Sequence, residues 1–232
     1  MYHDYGSLTD ADLAGLYAYP DGAVLRANMV TSADGAASVG GASAGLSSAA
    51  DRHVFALLRT LADVILVGGN TARTEGYQPV RIRELWRHLR AGRAATPPIA
   101  VITSGRDLDA SSPLFADPAT IVLTTAHAAA SVQVGAQVVA AGQDSVDIAA
   151  AVAALHDLGH QHILAEGGPG ILGQLVTAGL VDELCLTIGP LLAGPGAPRI
   201  VTGSPGPAAL PLSLAHLLDD NGFLLCRYRA NR

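Results

Sequence analysis

The stretch Asp63–Gly69, "DVILVGG", is apolar at four consecutive positions and stops at two glycines. A strand with one wet face alternates apolar and polar residues. An unbroken apolar run of this length suits a strand covered on both faces. Ile99–Ser104, Thr120–Thr125 and Ala136–Ala141 are three more strand candidates, and Ala23–Ser32, the run opening at His162 and "DELCLTIGP" extend the series. Helical spacing lies between them. Val54, Leu57, Leu58 and Leu61 share one face of a helix that Ser47 or Ser48 caps. "VDIAAAVAALHDLG" predicts a helix ended by Gly159, and Gly170–Ala178 another. Thr9 and Asp12 have capping-box spacing for a short helix near Thr9–Tyr17. Strands alternating with helices predict an α/β fold with a mostly parallel sheet flanked by helices. Two apolar runs around Asn221-Gly222 predict a C-terminal antiparallel hairpin, so the sheet is mixed. "RIRELWRHLRAGR" reads as an amphipathic helix or a surface excursion. No repeat or internal boundary interrupts the pattern, which makes residues 1–232 one domain.

Charge narrows the partners. The net charge is -6, which offers no field for nucleic acid or an anionic membrane. All 14 basic residues are arginines. Chemistry that needs a lysine amine is therefore excluded, and anions must be held by arginine, backbone N–H groups or helix ends. The polar N-terminus is no secretory signal, and no apolar run reaches the ~18 residues that span a bilayer, so a cytoplasmic protein is expected. Cys185 and Cys226 lie in apolar runs and read as buried thiols. Gly159 separates His156 from His160 and His162, and no metal site is expected.

Two strand ends are glycine-rich. Gly68-Gly69 closes one, with Asn70 or Thr71 able to cap a helix after it. Glu166-Gly167-Gly168-Pro169-Gly170 closes another just before a helix. Glycine lets a phosphate approach amides at a helix start. It also simply ends strands, so each turn reads as a phosphate cradle or as a plain stop. Together with Thr103-Ser104 the two turns would line one crevice at the carboxyl ends of the strands. Asp34, beside Gly35, reads as a turn aspartate or as a proton donor whose pKa burial raises. Glu166 is the rival acid. Arg59 and Arg81 read as solvated arginines or as a pair gripping a substrate phosphate. Asp182-Glu183 is expected to face solvent or a partner subunit.

Four stretches carry a resemblance: "ANMVTSADGAASVGGASAGLS", "LLRTLADVILVGGNTARTEGY", "ILAEGGPGILGQLVTAGLVDELCLTIGPLLAG" and "RIVTG". They span most of Leu25–Gly203. In this order they resemble the reductase domain of riboflavin biosynthesis, the C-terminal half of the bifunctional deaminase-reductase, and most of all its stand-alone actinobacterial members. The resemblance implies a dihydrofolate-reductase-like fold, a homodimer and NADPH as hydride donor. It also implies reduction of a ribosylaminopyrimidinone 5′-phosphate to the ribitylamino product. It places Thr71, Ser104, Gly167, Gly168, Pro169, Gly170, Ile171 and Leu172 on the cofactor. Ser43, Arg59 and Arg81 fall on the substrate, Glu166 beside both, and Asp34 on the family's "S-x-D-G" acid. Arg106 is a candidate for the cofactor's 2′-phosphate. One loop departs. Where the family carries "D-D-P-x-L-T-x-R", this chain has "EGYQPVR", with Glu75 and Tyr77 in place of an acid and a proline. The zinc-deaminase signature is absent. A dihydrofolate or pterin reductase and a non-catalytic NADPH-binding protein are the alternative readings.

Overall fold

The computed structural model describes residues 1–105, 108–204, 206 and 209–231. Its strands are β1 (Tyr2–Asp4), β2 (Val24–Ser32), β3 (Val64–Gly68), β4 (Ile99–Ile102), β5 (Ile121–Thr124), β6 (Gln137–Ala140), β7 (His162–Ala165), β8 (Glu183–Gly189), β9 (Leu212–Asp220) and β10 (Phe223–Ala230). They form one ten-stranded sheet in the order β1-β9-β10-β8-β2-β7-β3-β4-β5-β6. Among these strands only β10 runs against its neighbours. The mixed α/β sheet expected from the sequence is present, with its hairpin turning at Asn221 (φ 51°) and Gly222 (φ 89°).

The apolar runs are buried on both faces, as their composition requires. Ile65 and Val67 of β3 face one core layer with Leu57, Trp86 and Phe115. Val64 and Leu66 face the other, with Leu155, Leu172 and Leu175. The first layer is covered by α1 (Asp10–Tyr17) and α2 (Ala49–Leu61). The second is covered by α6 (Ile148–Asp157) and α7 (Pro169–Thr177). Three short helices, α3 (Gly69–Thr74), α4 (Pro113–Ala116) and α5 (Ala126–Ala129), sit at strand ends. Thr9 and Asp12 close the capping box of α1, and Ser48 caps α2 by accepting from the Asp51 amide. Cys185 and Cys226 are buried free thiols. No helix among the described residues is long and apolar enough to cross a membrane.

Three expectations are corrected here. Gly68 is the cap of α3 and supplies no side chain, so Asn70 and Thr71 lie inside that helix. The arginine-rich stretch is a 3-10 helix over Glu84–Arg90. It buries Trp86 and turns Arg90 onto the carbonyls of Thr60 and Ala62 at 2.8 and 2.7 Å, closing the C-terminal end of α2. Glu183 is buried rather than solvent-facing. Arg26 and Arg227 hold its carboxylate at 2.6 Å each. The same guanidinium groups reach the Leu16, Tyr17 and Ala18 carbonyls and tie the end of α1 to the sheet. Asp182 accepts from the Leu25 amide at 2.8 Å.

Candidate active site

Strands β3 and β7 are neighbours and parallel, so their carboxyl ends lie side by side. The two glycine turns therefore touch: the Gly68 amide donates to the Gly167 carbonyl at 2.7 Å. The Gly167–Gly168 peptide is cis, and Gly167 has φ 88°. A β-carbon at Gly168 would fall 2.5 Å from Oγ1 of Thr71, so a side chain there would displace the Thr71 hydroxyl.

Two cavities meet at this seam. One, of about 620 Å³, lies over the ends of β3 and β4. Thr71, Thr103, Ser104, Gly168, Pro169, Gly170 and Ile171 line it. The Leu172 side chain is buried in the second core layer, and neither Leu172 nor Gly167 lines this cavity or the one beside it. The amide cradle is narrower than the sequence suggested. Pro169 has no N–H, and the Ile171 and Leu172 amides both donate to the Gly168 carbonyl. That leaves Gly170 as the first-turn amide of α7 with no partner among the described residues. Arg106 lies outside the described residues.

The second cavity, of about 1010 Å³, shares Thr71, Tyr77, Gly168 and Pro169 with the first. Its wall includes Ser43, Arg52, Arg59, Arg81 and Glu166. Glu166 is the best-buried acid here, its side chain 2% exposed. Arg59 grips it side-on, Nε to Oε1 at 2.8 Å and Nη2 to Oε2 at 2.7 Å. The Tyr77 hydroxyl donates to the same Oε2 at 2.7 Å. Burial opposes the charge on Arg59, but Glu166 more than offsets it and the guanidinium pKa ends above its ordinary value. Burial and then the Glu166 carboxylate push the Tyr77 phenol well up, so it stays a donor. Ser43 donates its hydroxyl to Glu75 Oε1 at 3.1 Å and its amide at 3.4 Å, which ties the loop after β2 to the segment after α3. Arg81 is exposed on the cavity wall.

Asp34 is elsewhere. It lines neither cavity and is exposed. Ser32 Oγ donates to it, as do the amides of Ala193 and Gly194 at 3.0 and 2.9 Å. Those donors, Ser32 first, hold its pKa down at about 2. The expectation of an acid with a raised pKa is thus corrected: its charged form is hydrogen-bonded, not desolvated. Asp34 pins the loop after β8 to the end of β2.

Arg52 was not singled out from sequence, and Tyr77 only as a residue of the loop "EGYQPVR". No spacing marked Arg52.

The sequence profile of the RibD C-terminal domain matches residues 23–223. The chain belongs to this family. A family relative from Methanothermobacter thermautotrophicus, a 2,5-diamino-6-ribosylamino-4(3H)-pyrimidinone 5′-phosphate reductase, is 27% identical over 72% of this chain and 77% of its own length. The crystal structure of a pyrimidine reductase-like protein from Corynebacterium diphtheriae superposes with a TM-score of 0.81 at 28% identity, covering 90% of this chain and 92% of that one. Dihydrofolate reductase from Enterococcus faecalis shares the fold at a TM-score of 0.51 and 13% identity, covering 90% and 97%.

Proposed function

We propose that this member of the RibD C-terminal family is an oxidoreductase that reduces a ribosylaminopyrimidinone 5′-phosphate to its ribitylamino product with NADPH. The observation that carries the reading is the seam: a glycine-walled cavity and an arginine-walled cavity share Thr71, Tyr77, Gly168 and Pro169. One side suits a dinucleotide, the other a phosphorylated substrate.

The residues present fit the cofactor. The space at Gly168 that a side chain would fill, the Gly170 amide with no partner among the described residues and the hydroxyls of Thr71, Thr103 and Ser104 suit phosphate and sugar groups. NADPH would supply a hydride to C1′ of the substrate. The chain's own task is orientation across the seam, where a shift of about 1 Å can cost roughly a hundredfold in rate. Reduction of the ring-opened imine adds that hydride at carbon and a proton at nitrogen. Solvent supplies the proton, because Asp34 lines neither cavity and is ionised. Ser43, Arg52, Arg59 and Arg81 form the substrate wall, and Glu166 orients Arg59. The family resemblance supports a cytoplasmic homodimer as the working unit.

The test is nicotinamide oxidation followed by absorbance, with the phosphorylated pyrimidine and dihydrofolate offered separately, and the mass of the active species read on the same sample. Turnover of the pyrimidine with NADPH is expected. Oxidation with dihydrofolate alone would replace the substrate, and no nicotinamide binding by calorimetry would end the redox reading.

A further inference from the structure

We propose that Tyr77 is a positioning residue of this site: its hydroxyl, seated on Glu166, holds Arg59 side-on so that the outer edge of the guanidinium meets the substrate phosphate. This deepens the activity proposed above and rests on it.

The argument begins with donors. A guanidinium carries five N–H bonds. Glu166 takes one from Nε and one from Nη2, and no hydrogen bond to a described residue engages Nη1. The Nη1 edge therefore keeps its donors. Burial sets the direction. The Glu166 side chain is 2% exposed and Arg59 is 19% exposed, so the carboxylate stands behind and the guanidinium in front. Both line the larger cavity.

Tyr77 fixes this arrangement twice. Its hydroxyl gives Oε2 a second donor, which resists rotation of the carboxylate away from Arg59. Its ring lies 5.0 Å from the guanidinium carbon, and the Phe55 ring lies 4.3 Å from it, so aromatic faces hold the plane. A phosphate prefers two parallel N–H bonds, and an arginine held in one plane presents them with little ordering cost. Tyr77 lies in the loop "EGYQPVR" between α3 and the 3-10 helix. That loop supplies the third member of the clamp.

Tyr77→Phe keeps the ring and removes the hydroxyl. Steady-state kinetics should be run with the phosphorylated substrate and with its dephosphorylated form. The expected result is a KM about tenfold higher for the phosphorylated substrate, a larger change than in kcat or in the dephosphorylated KM, as loss of one bond to a charged group predicts. Equal changes for both substrates, or none, would overturn the proposal. Glu166→Gln, similar in volume, should show the same phosphate-selective loss; a wild-type KM there overturns it too. Calorimetry with inorganic phosphate reads the same edge without turnover. Binding about tenfold weaker in Tyr77→Phe is expected, and equal binding is the contrary result. If the wild-type protein reduces no pyrimidine yet phosphate binding falls in the variant, the activity reading fails while the clamp stands.

Discussion

Two buried arginine–carboxylate clusters spend their donors differently. At Glu183, Arg26 and Arg227 close on one carboxylate and turn remaining N–H groups onto the carbonyls of Leu16, Tyr17 and Ala18. Arg26 is 0% exposed and Arg227 4%. The cluster is consumed by the fold: Glu183 offsets one of two buried positive charges and the arginines close the end of α1. At Glu166, among the described residues, one arginine and a tyrosine share the carboxylate, and the Nη1 edge of Arg59 stays unspent beside a cavity. What separates a structural ion pair from a working one is the set of donors left over. Burial alone does not decide it, since both carboxylates are nearly sealed.

The strongest way to break this contrast is Glu183→Ala. It leaves two buried guanidinium groups without their counter-charge, so a loss of about 3–5 kcal/mol is expected by chemical denaturation. Soluble protein of wild-type stability would show the cluster to be ornamental. A smaller effect comes from pH. His216 packs edge-on against Tyr17, ring centroids 4.8 Å apart, and pairs in register with Arg227. Burial first, then Arg227, pushes its pKa down to about 4. The folded state thus resists a proton that the unfolded chain accepts near pH 6.5. The resulting stability is present above that value and is lost as pH falls from about 6.5 towards 4. Thermal melts over this range should show the fall, and His216→Gln should flatten it; an unflattened curve places the sensitivity elsewhere. The smallest effect is Asp34→Asn. Turnover is expected to stay at the wild-type value while the melting temperature drops slightly. A collapse of kcat with an intact fold would return the acid to the chemistry and blur the line between tether and active group.

Much of this architecture could be read from residue order. Apolar runs ending in glycine predicted the parallel strands, and Asn221-Gly222 predicted the hairpin, because both signals are local. β1 carried no such signal: three residues at a sheet edge leave no periodicity, and its partner β9 comes from the far end of the chain. α4 and α5 are four residues each, too short for a helical pattern. The site was legible as a crevice and less so as chemistry. Asp34 looked like a desolvated acid because its backbone donors, Ala193 and Gly194, arrive only through the tertiary fold. Glu183 looked solvated because it comes directly after another acid. A usable signal did exist: Arg26 sits inside "AVLRANMVTS" and Arg227 inside "LLCRYRA", and an arginine within a buried strand needs a carboxylate. Tyr77 carried no periodic signal, only its place in an altered loop.

The position of β2 has a consequence for synthesis. Its hydrogen-bonding neighbours are β7 and β8, with Val24 beside His162 and Ser32 beside Gly189. On the ribosome, the first long strand of the chain must wait as an unpaired apolar ribbon until most of the polypeptide has emerged. Its open edges are most vulnerable to self-association during that interval.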